Sequence, residues 1–206
     1  MSTTTLTDDP WLGFLDHLRG RASAAPPSRA EGFSAELWDA MAASGLFSTL
    51  AVEGIGSGGM RAGIDRMRAL GRTSPDRGLT FSAATQLAST IYCLRAFSSK
   101  ELQERYLPTA EAGNAIGGHA ITEAEAGSDV MSMSTTAHLR NGSYVLNGTK
   151  RFITNAPIAS TLVVYAKTVE DGVDKGLSAF LIETGWPGVD TSRSLPTAGL
   201  SSSPIG

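Results

Sequence analysis

Two stretches of this sequence gather residues able to hold a ligand: residues 119–130, HAITEAEAGSDV, and residues 151–155, RFITN. The first sets hydroxyls at Thr122 and Ser128, a glycine at Gly127 and a carboxylate at Asp129 around a short apolar run that includes Ile121. The second flanks Ile153 with an aromatic, Phe152, and a hydroxyl, Thr154, shortly after an Asn147-Gly148 pair. Alternate residues of a strand share a face, so a strand over 150–154 points Phe152 and Thr154 the same way. A flat ring beside a hydroxyl, facing a polar Gly-Ser turn, suits a planar heteroaromatic ligand with a charged tail. That tail can lie on backbone N–H groups left free at Gly127.

Residues 119–130 resemble the signature of acyl-CoA dehydrogenases: an apolar pair, Thr-Glu, two variable residues, then Ala-Gly-Ser-Asp. Gly148-Thr149-Lys150-Arg151-Phe152-Ile153-Thr154-Asn155 looks like that family's second motif, Gly-x-Lys-x-Trp/Phe-Ile-Thr-Asn. The resemblance implies FAD as cofactor, with Thr122 and Thr154 bonded to the flavin edge and Ile121 and Ile153 beside them. It also implies Phe152 stacked on the isoalloxazine ring. Ser128, with Gly127, is implied at the pyrophosphate, and Ser128 also at the substrate. Phe152 stands where the family more often has Trp, and Ala124 where it usually has Pro. The implied reaction is α,β-dehydrogenation of an acyl thioester, carried on CoA or on an acyl carrier protein. An electron-accepting flavoprotein and an oligomeric assembly belong to the same expectation.

Composition bounds the alternatives. A chain of 206 residues with a formal charge of −3 has no basic stripe, which argues against nucleic acid. The single Cys93 excludes an internal disulfide and a cysteine cluster for zinc, and no metal-ligand spacing is readable. The polar start lacks the basic and apolar regions of a signal peptide, and no apolar run reaches the ~20 residues that span a bilayer. The expected setting is reducing cytoplasm, without membrane attachment.

The elements that must position these motifs divide at residue 114. Residues 1–9 read as frayed, and Asp9-Pro10-Trp11 as a helix start with Trp11, Leu12, Leu15 and Leu18 on one stripe. Residues 20–29 read as a linker, and residues 34–44 as a helix burying Leu37, Trp38 and Met41, with Gly45 ending it. Residues 54–59 satisfy Gly-x-Gly-x-x-Gly, and Asp76 lies near the spacing of a ribose-binding acid. No second strand leads to Asp76, so a dinucleotide fold is disfavoured and a glycine-rich turn between helices is expected. Residues 79–94 read as a buried helix in which Cys93 serves packing, as Met67 does upstream. Residues 99–106 read as a short helix stopped by Leu107-Pro108.

Strands are expected over 135–140, 143–147, 150–154, 161–168 and 176–183, with hairpin turns at Asn141-Gly142 and Asn147-Gly148. The predicted fold is α+β: an all-α domain over 1–114, then a small antiparallel β-barrel or sandwich over 115–206. The resemblance implies a third, helical C-terminal domain that carries the catalytic glutamate, so the catalytic base is unassigned here. Glu123, Glu125 and Asp129 read as turn caps or solvated groups. His138 reads as outward-facing and His119 as a possible ligand contact. A partner subunit supplying the missing domain is the leading expectation. A non-redox thioester enzyme and a catalytically silent interaction protein remain open.

Overall fold

Helix α1 (Pro10–Ala22) starts where Asp9 accepts a hydrogen bond from the Trp11 N–H at 2.9 Å. The computed structural model describes residues 9–22, 32–53 and 56–206. Residues 1–8 of the start expected to fray, most of the expected linker, and Gly54 and Ile55 of the expected glycine-rich turn lie outside the described residues. α2 (Ala35–Ala43) is capped by Ser34, whose hydroxyl accepts from Leu37 N–H at 3.3 Å. After α3 (Thr49–Glu53) and α4 (Ser57–Thr73), Asp76 caps α5 (Arg77–Ala84) through Leu79 N–H at 2.9 Å. Asp76 is therefore a helix cap, and the segment leading to it is helical, against a dinucleotide unit.

The expected buried helix exists with a change of pitch. α5 runs into a π-helical segment, Thr85–Ile91, and then into α6 (Tyr92–Phe97). Gln86 lies at its start, fully buried, and its amide nitrogen donates to the Ala110 and Ala115 carbonyls at 3.0 and 2.9 Å. Its amide oxygen accepts from Gly117 N–H at 2.7 Å, so one side chain joins the helices to the first strand. α7 (Lys100–Glu111), capped by Ser99, continues through Pro108 instead of stopping at Leu107. Trp38 is buried against Phe47, with ring centroids 4.7 Å apart, and its indole N–H donates to the Gly113 carbonyl at 2.9 Å.

The β half is a mixed sheet, not the purely antiparallel one expected. The strands are β1 (Gly117–Ala120), β2 (Thr136–Arg140), β3 (Ser143–Asn147), β4 (Thr161–Glu170) and β5 (Val173–Glu183). β4 pairs antiparallel with β5 along one edge; β1 and then β2 pair parallel with its other edge, and β3 closes antiparallel on β2. Two parallel pairings arise because the chain crosses over between β1, β2 and β4 instead of turning tightly.

The Asn141-Gly142 hairpin forms, with both residues at positive φ. Asn147-Gly148 does not make one. The second hairpin turn is Asp171-Gly172, at φ 49° and 76°. Arg105 and the Tyr106 hydroxyl both donate to Glu183, at 2.6 and 2.7 Å, fastening α7 to β5.

Candidate functional site

The strand expected over 150–154 is absent, and the reason is local. Phe152 sits at φ 60° and Asn155 at φ 68°, in the left-handed region that an aromatic side chain rarely enters. Such residues destroy the two-residue alternation, so the argument that Phe152 and Thr154 share a strand face fails. Residues 150–155 instead run back along residues 117–122 without a ladder. Lys150 Nζ donates to the Ile121 carbonyl at 2.9 Å, and Arg151 N–H to the Thr122 carbonyl at 2.8 Å. Further along, the Asn155 amide donates to the carbonyls of Gly117 and Ser82, both at 3.2 Å. A Cβ on Gly118 would lie 2.9 Å from the Thr154 carbonyl oxygen, so only glycine lets the two segments approach.

Along this path the expected ligand residues differ in exposure. Phe152 is 59 % exposed, with the Arg151 guanidinium 5.2 Å from its ring centre. Ile121, Thr122 and Thr154 are half-buried, Gly127 and Ser128 are exposed, and Ile153 is buried in the small β core. Backbone strain at an exposed aromatic costs about 1–3 kcal/mol and persists only where the surroundings enforce it. Here they do: Ile153 exchanges backbone hydrogen bonds with Gly206 at 2.8 and 3.1 Å, and Asn155 N–H donates to Pro204 at 2.8 Å. The 202–206 tail is itself anchored on α5, with Ser202 donating to Asp76 and Ser82 donating to Ser203 at 3.0 Å.

Of the two readings of Glu123, turn cap or solvated group, the structure shows the cap: the residue is buried and accepts from backbone N–H groups. Its carboxylate accepts from Ser134 N–H at 2.6 Å, Ser134 Oγ at 2.7 Å and Thr135 N–H at 3.0 Å, as well as from the Thr135 hydroxyl. What sequence reasoning missed is its fifth partner, Lys150 Nζ, at 2.8 Å. Burial alone raises the Glu123 carboxyl; the hydrogen bonds from Lys150, Thr135 and Ser134 outweigh it and hold the group well below the usual carboxylate range. The available signal was two charged residues, each set at a fixed place in its own motif. Asp129 opens a 3-10 turn, Val130–Ser132, without a side-chain cap, and Glu125 is exposed.

The remaining titratable candidates settle on packing. His119 is half-buried, its Nδ1 3.1 Å from the Ser89 carbonyl and its ring tilted on Tyr165 at 5.1 Å. His138 alternates with fully buried Ala137 and is half-buried itself. Cys93 lines an apolar hollow of about 390 Å³ with Phe97, Tyr165 and Phe180, and burial pushes its thiol up. Among the described residues no group of His, Cys, Asp and Glu could hold a metal ion, and no helix is long and apolar enough to cross a membrane.

Phe152, Gly127 and Ser128 are exposed and Thr122 and Thr154 half-buried, so these side chains are open to a ligand from outside. Comparison with known proteins agrees on the fold. The acyl-CoA dehydrogenase N-terminal domain matches residues 17–114, and the acyl-CoA dehydrogenase middle domain matches residues 118–206. The L-prolyl-[peptidyl-carrier protein] dehydrogenase of Serratia sp. is 42 % identical over 174 residues, covering 83 % of this chain and 45 % of its own length. The mitochondrial isovaleryl-CoA dehydrogenase of Arabidopsis thaliana is 33 % identical over 98 % of this chain and 51 % of its own. The FAD complex of PigA superposes with a TM-score of 0.82 at 36 % identity, over all of this chain and 55 % of that one. The chain thus spans about half the length of the curated relatives it matches. Two domain matches in the family's order, over a fold shared with its solved structures, place this chain in the acyl-CoA dehydrogenase family.

Proposed function

We propose that this chain is the flavin-cradling part of an FAD-dependent dehydrogenase that oxidises an acyl or aminoacyl thioester. The observation that carries this reading is Phe152: a strained, exposed ring, held by the 202–206 tail next to Arg151, whose N–H bonds the Thr122 carbonyl. Phe152 would stack on the isoalloxazine ring, Thr122 and Thr154 would bond its polar edge, and Ile121 and Ile153 would support that edge. Gly127 and Ser128 would hold the pyrophosphate, with Ser128 also reaching the thioester. When bound, the flavin supplies the hydride acceptor for α,β-dehydrogenation.

The chain's own groups bind and orient; none is assigned the proton. Glu123 has both carboxylate oxygens occupied by donors and stays ionised, so it has no free lone pair aimed at a substrate. As the family resemblance implies, we assign the base to a further helical portion of the fold, in the same polypeptide or in a partner subunit of an oligomer. Of the two thioester carriers, a carrier protein is the one we favour, because a relative at 42 % identity acts on a carrier-bound prolyl group. Electron transfer to a flavoprotein acceptor and a cytoplasmic setting complete the proposal.

The direct test is titration of the purified full chain with FAD, followed by flavin fluorescence and visible absorbance. Saturable binding that Phe152→Ala weakens at least tenfold supports the reading. Absence of binding, in the chain alone and with any co-purifying helical partner, overturns it.

A further inference from the structure

We propose that Glu123 and Lys150 form a buried positioning pair that sets the distance and register between the two ligand-bearing segments; the inference deepens the flavin reading and rests on it. Backbone pairing does not set that register. Residues 150–155 form no strand, and near the expected ligand residues a single backbone hydrogen bond, Arg151 N–H to Thr122 carbonyl at 2.8 Å, links the segments. Apolar packing does little more, since the nearby core consists of Ala120, Ile153, Ala156, Ala159, Leu162 and Val164. The charged pair supplies what both lack.

Its geometry is specific. The Lys150 side chain is 10 % exposed and the Glu123 side chain 5 %. The three ammonium donors meet three acceptors: Glu123 Oε1 at 2.8 Å, the Ile121 carbonyl at 2.9 Å and Met133 Sδ at 3.5 Å. Glu123 in turn grips the 134–135 backbone and hydroxyls, so the carboxylate joins three segments: 121–123, 133–135 and 150. A Cβ on Gly148 would lie 2.8 Å from the Thr135 Cα, which explains a glycine two residues before the lysine: it lets the chain come close enough for Nζ to reach.

Of the residues that would face the flavin, Ile121 and Thr122 directly precede Glu123, and Phe152 follows Lys150 by two positions. The Lys150 charge is spent on Glu123, and the pair acts on the ligand only through the backbone it holds. Glu123 and Lys150 are thus positioning residues, not catalytic ones.

The test uses the full chain as wild type, Lys150→Met, Lys150→Arg and Glu123→Gln, each checked for folding by far-UV circular dichroism. Three readouts are taken: FAD titration, hydrogen exchange of the Arg151 amide without ligand, and the visible circular dichroism of flavin at saturation. The expected result for Lys150→Met is FAD binding at least tenfold weaker and Arg151 exchange at least tenfold faster. Lys150→Arg should recover most of both, and Glu123→Gln should fall between. The visible circular dichroism of flavin at saturation should also differ in Lys150→Met, because the ring would sit against a shifted Phe152; a purely destabilising change leaves that spectrum unaltered once FAD saturates. Wild-type FAD affinity and a protected Arg151 amide in folded Lys150→Met overturn the proposal. Should wild type itself bind no FAD, the flavin reading fails, and unaltered Arg151 exchange in Lys150→Met or Glu123→Gln then refutes the pair on its own.

Discussion

The two halves of this molecule are held by different physics. The helical half closes on large apolar side chains, among them Trp11, Phe14, Trp38, Met41, Phe47 and Leu50, all buried. The β half around residues 117–123 and 150–159 has a core of alanines, two valine-sized or leucine-sized partners and one isoleucine, and a buried ion pair ringed by hydroxyls. Helices can be placed by shape alone, because ridges of side chains fill grooves and exclude water. A loop that carries an exposed ring cannot be placed that way, since its useful face must stay empty. Directional hydrogen bonds from Lys150, Arg151 and Asn155 locate it instead.

The contrast can be broken at either end. Trp38→Ala removes the largest anchor of the helical half together with its bond to Gly113, and should cost about 4 kcal/mol in urea unfolding. Gly148→Ala drives a methyl into Thr135 and loosens the grip on Glu123; overpacking and a disturbed polar network together should cost about 2–3 kcal/mol. Unlike the tryptophan change, it should also weaken FAD binding.

Acid probes the Glu123 network. The Glu123 carboxyl is depressed in the folded chain, so its contribution is fully present above the unfolded value near 4.5 and is lost as pH falls toward the folded one. Stability should therefore be level above about pH 5 and drop below it by on the order of 2 kcal/mol from this group. Lys150→Met should flatten that limb of the curve, measured by urea melts across the acid range. The smallest effect comes from relieving strain: Phe152→Gly should raise stability by about 1 kcal/mol while lowering FAD affinity. A destabilised Phe152→Gly would show that the ring packs for the fold and not for a ligand.

Much of the helical half was legible because its signals are local. Asp9 caps α1 as read and helices begin just after Ser34 and Ser99, while of the expected stripe Trp11, Leu15 and Leu18 are buried and Leu12 is exposed; that Asp76 caps α5 was not read. Ser143–Asn147 and the Asn141-Gly142 turn were legible for the same reason. Pro108 misled because a proline stops a helix only where the preceding turn needs its N–H, and α7 tolerates the loss near its end. Asn147-Gly148 misled because a turn dipeptide describes what a backbone can do, while Gly148 is needed for close approach to Thr135.

The sequence by itself determined the residue types of the two motifs, the helical first half and the resemblance to a family, since all three are written in short windows. Only the tertiary structure decided the mixed strand order, the left-handed Phe152, the tail clamped over residues 153–155 and the pairing of Glu123 with Lys150. Those features join residues tens of positions apart. No local propensity encodes such a contact, because its energy exists only once burial has stripped water from both partners.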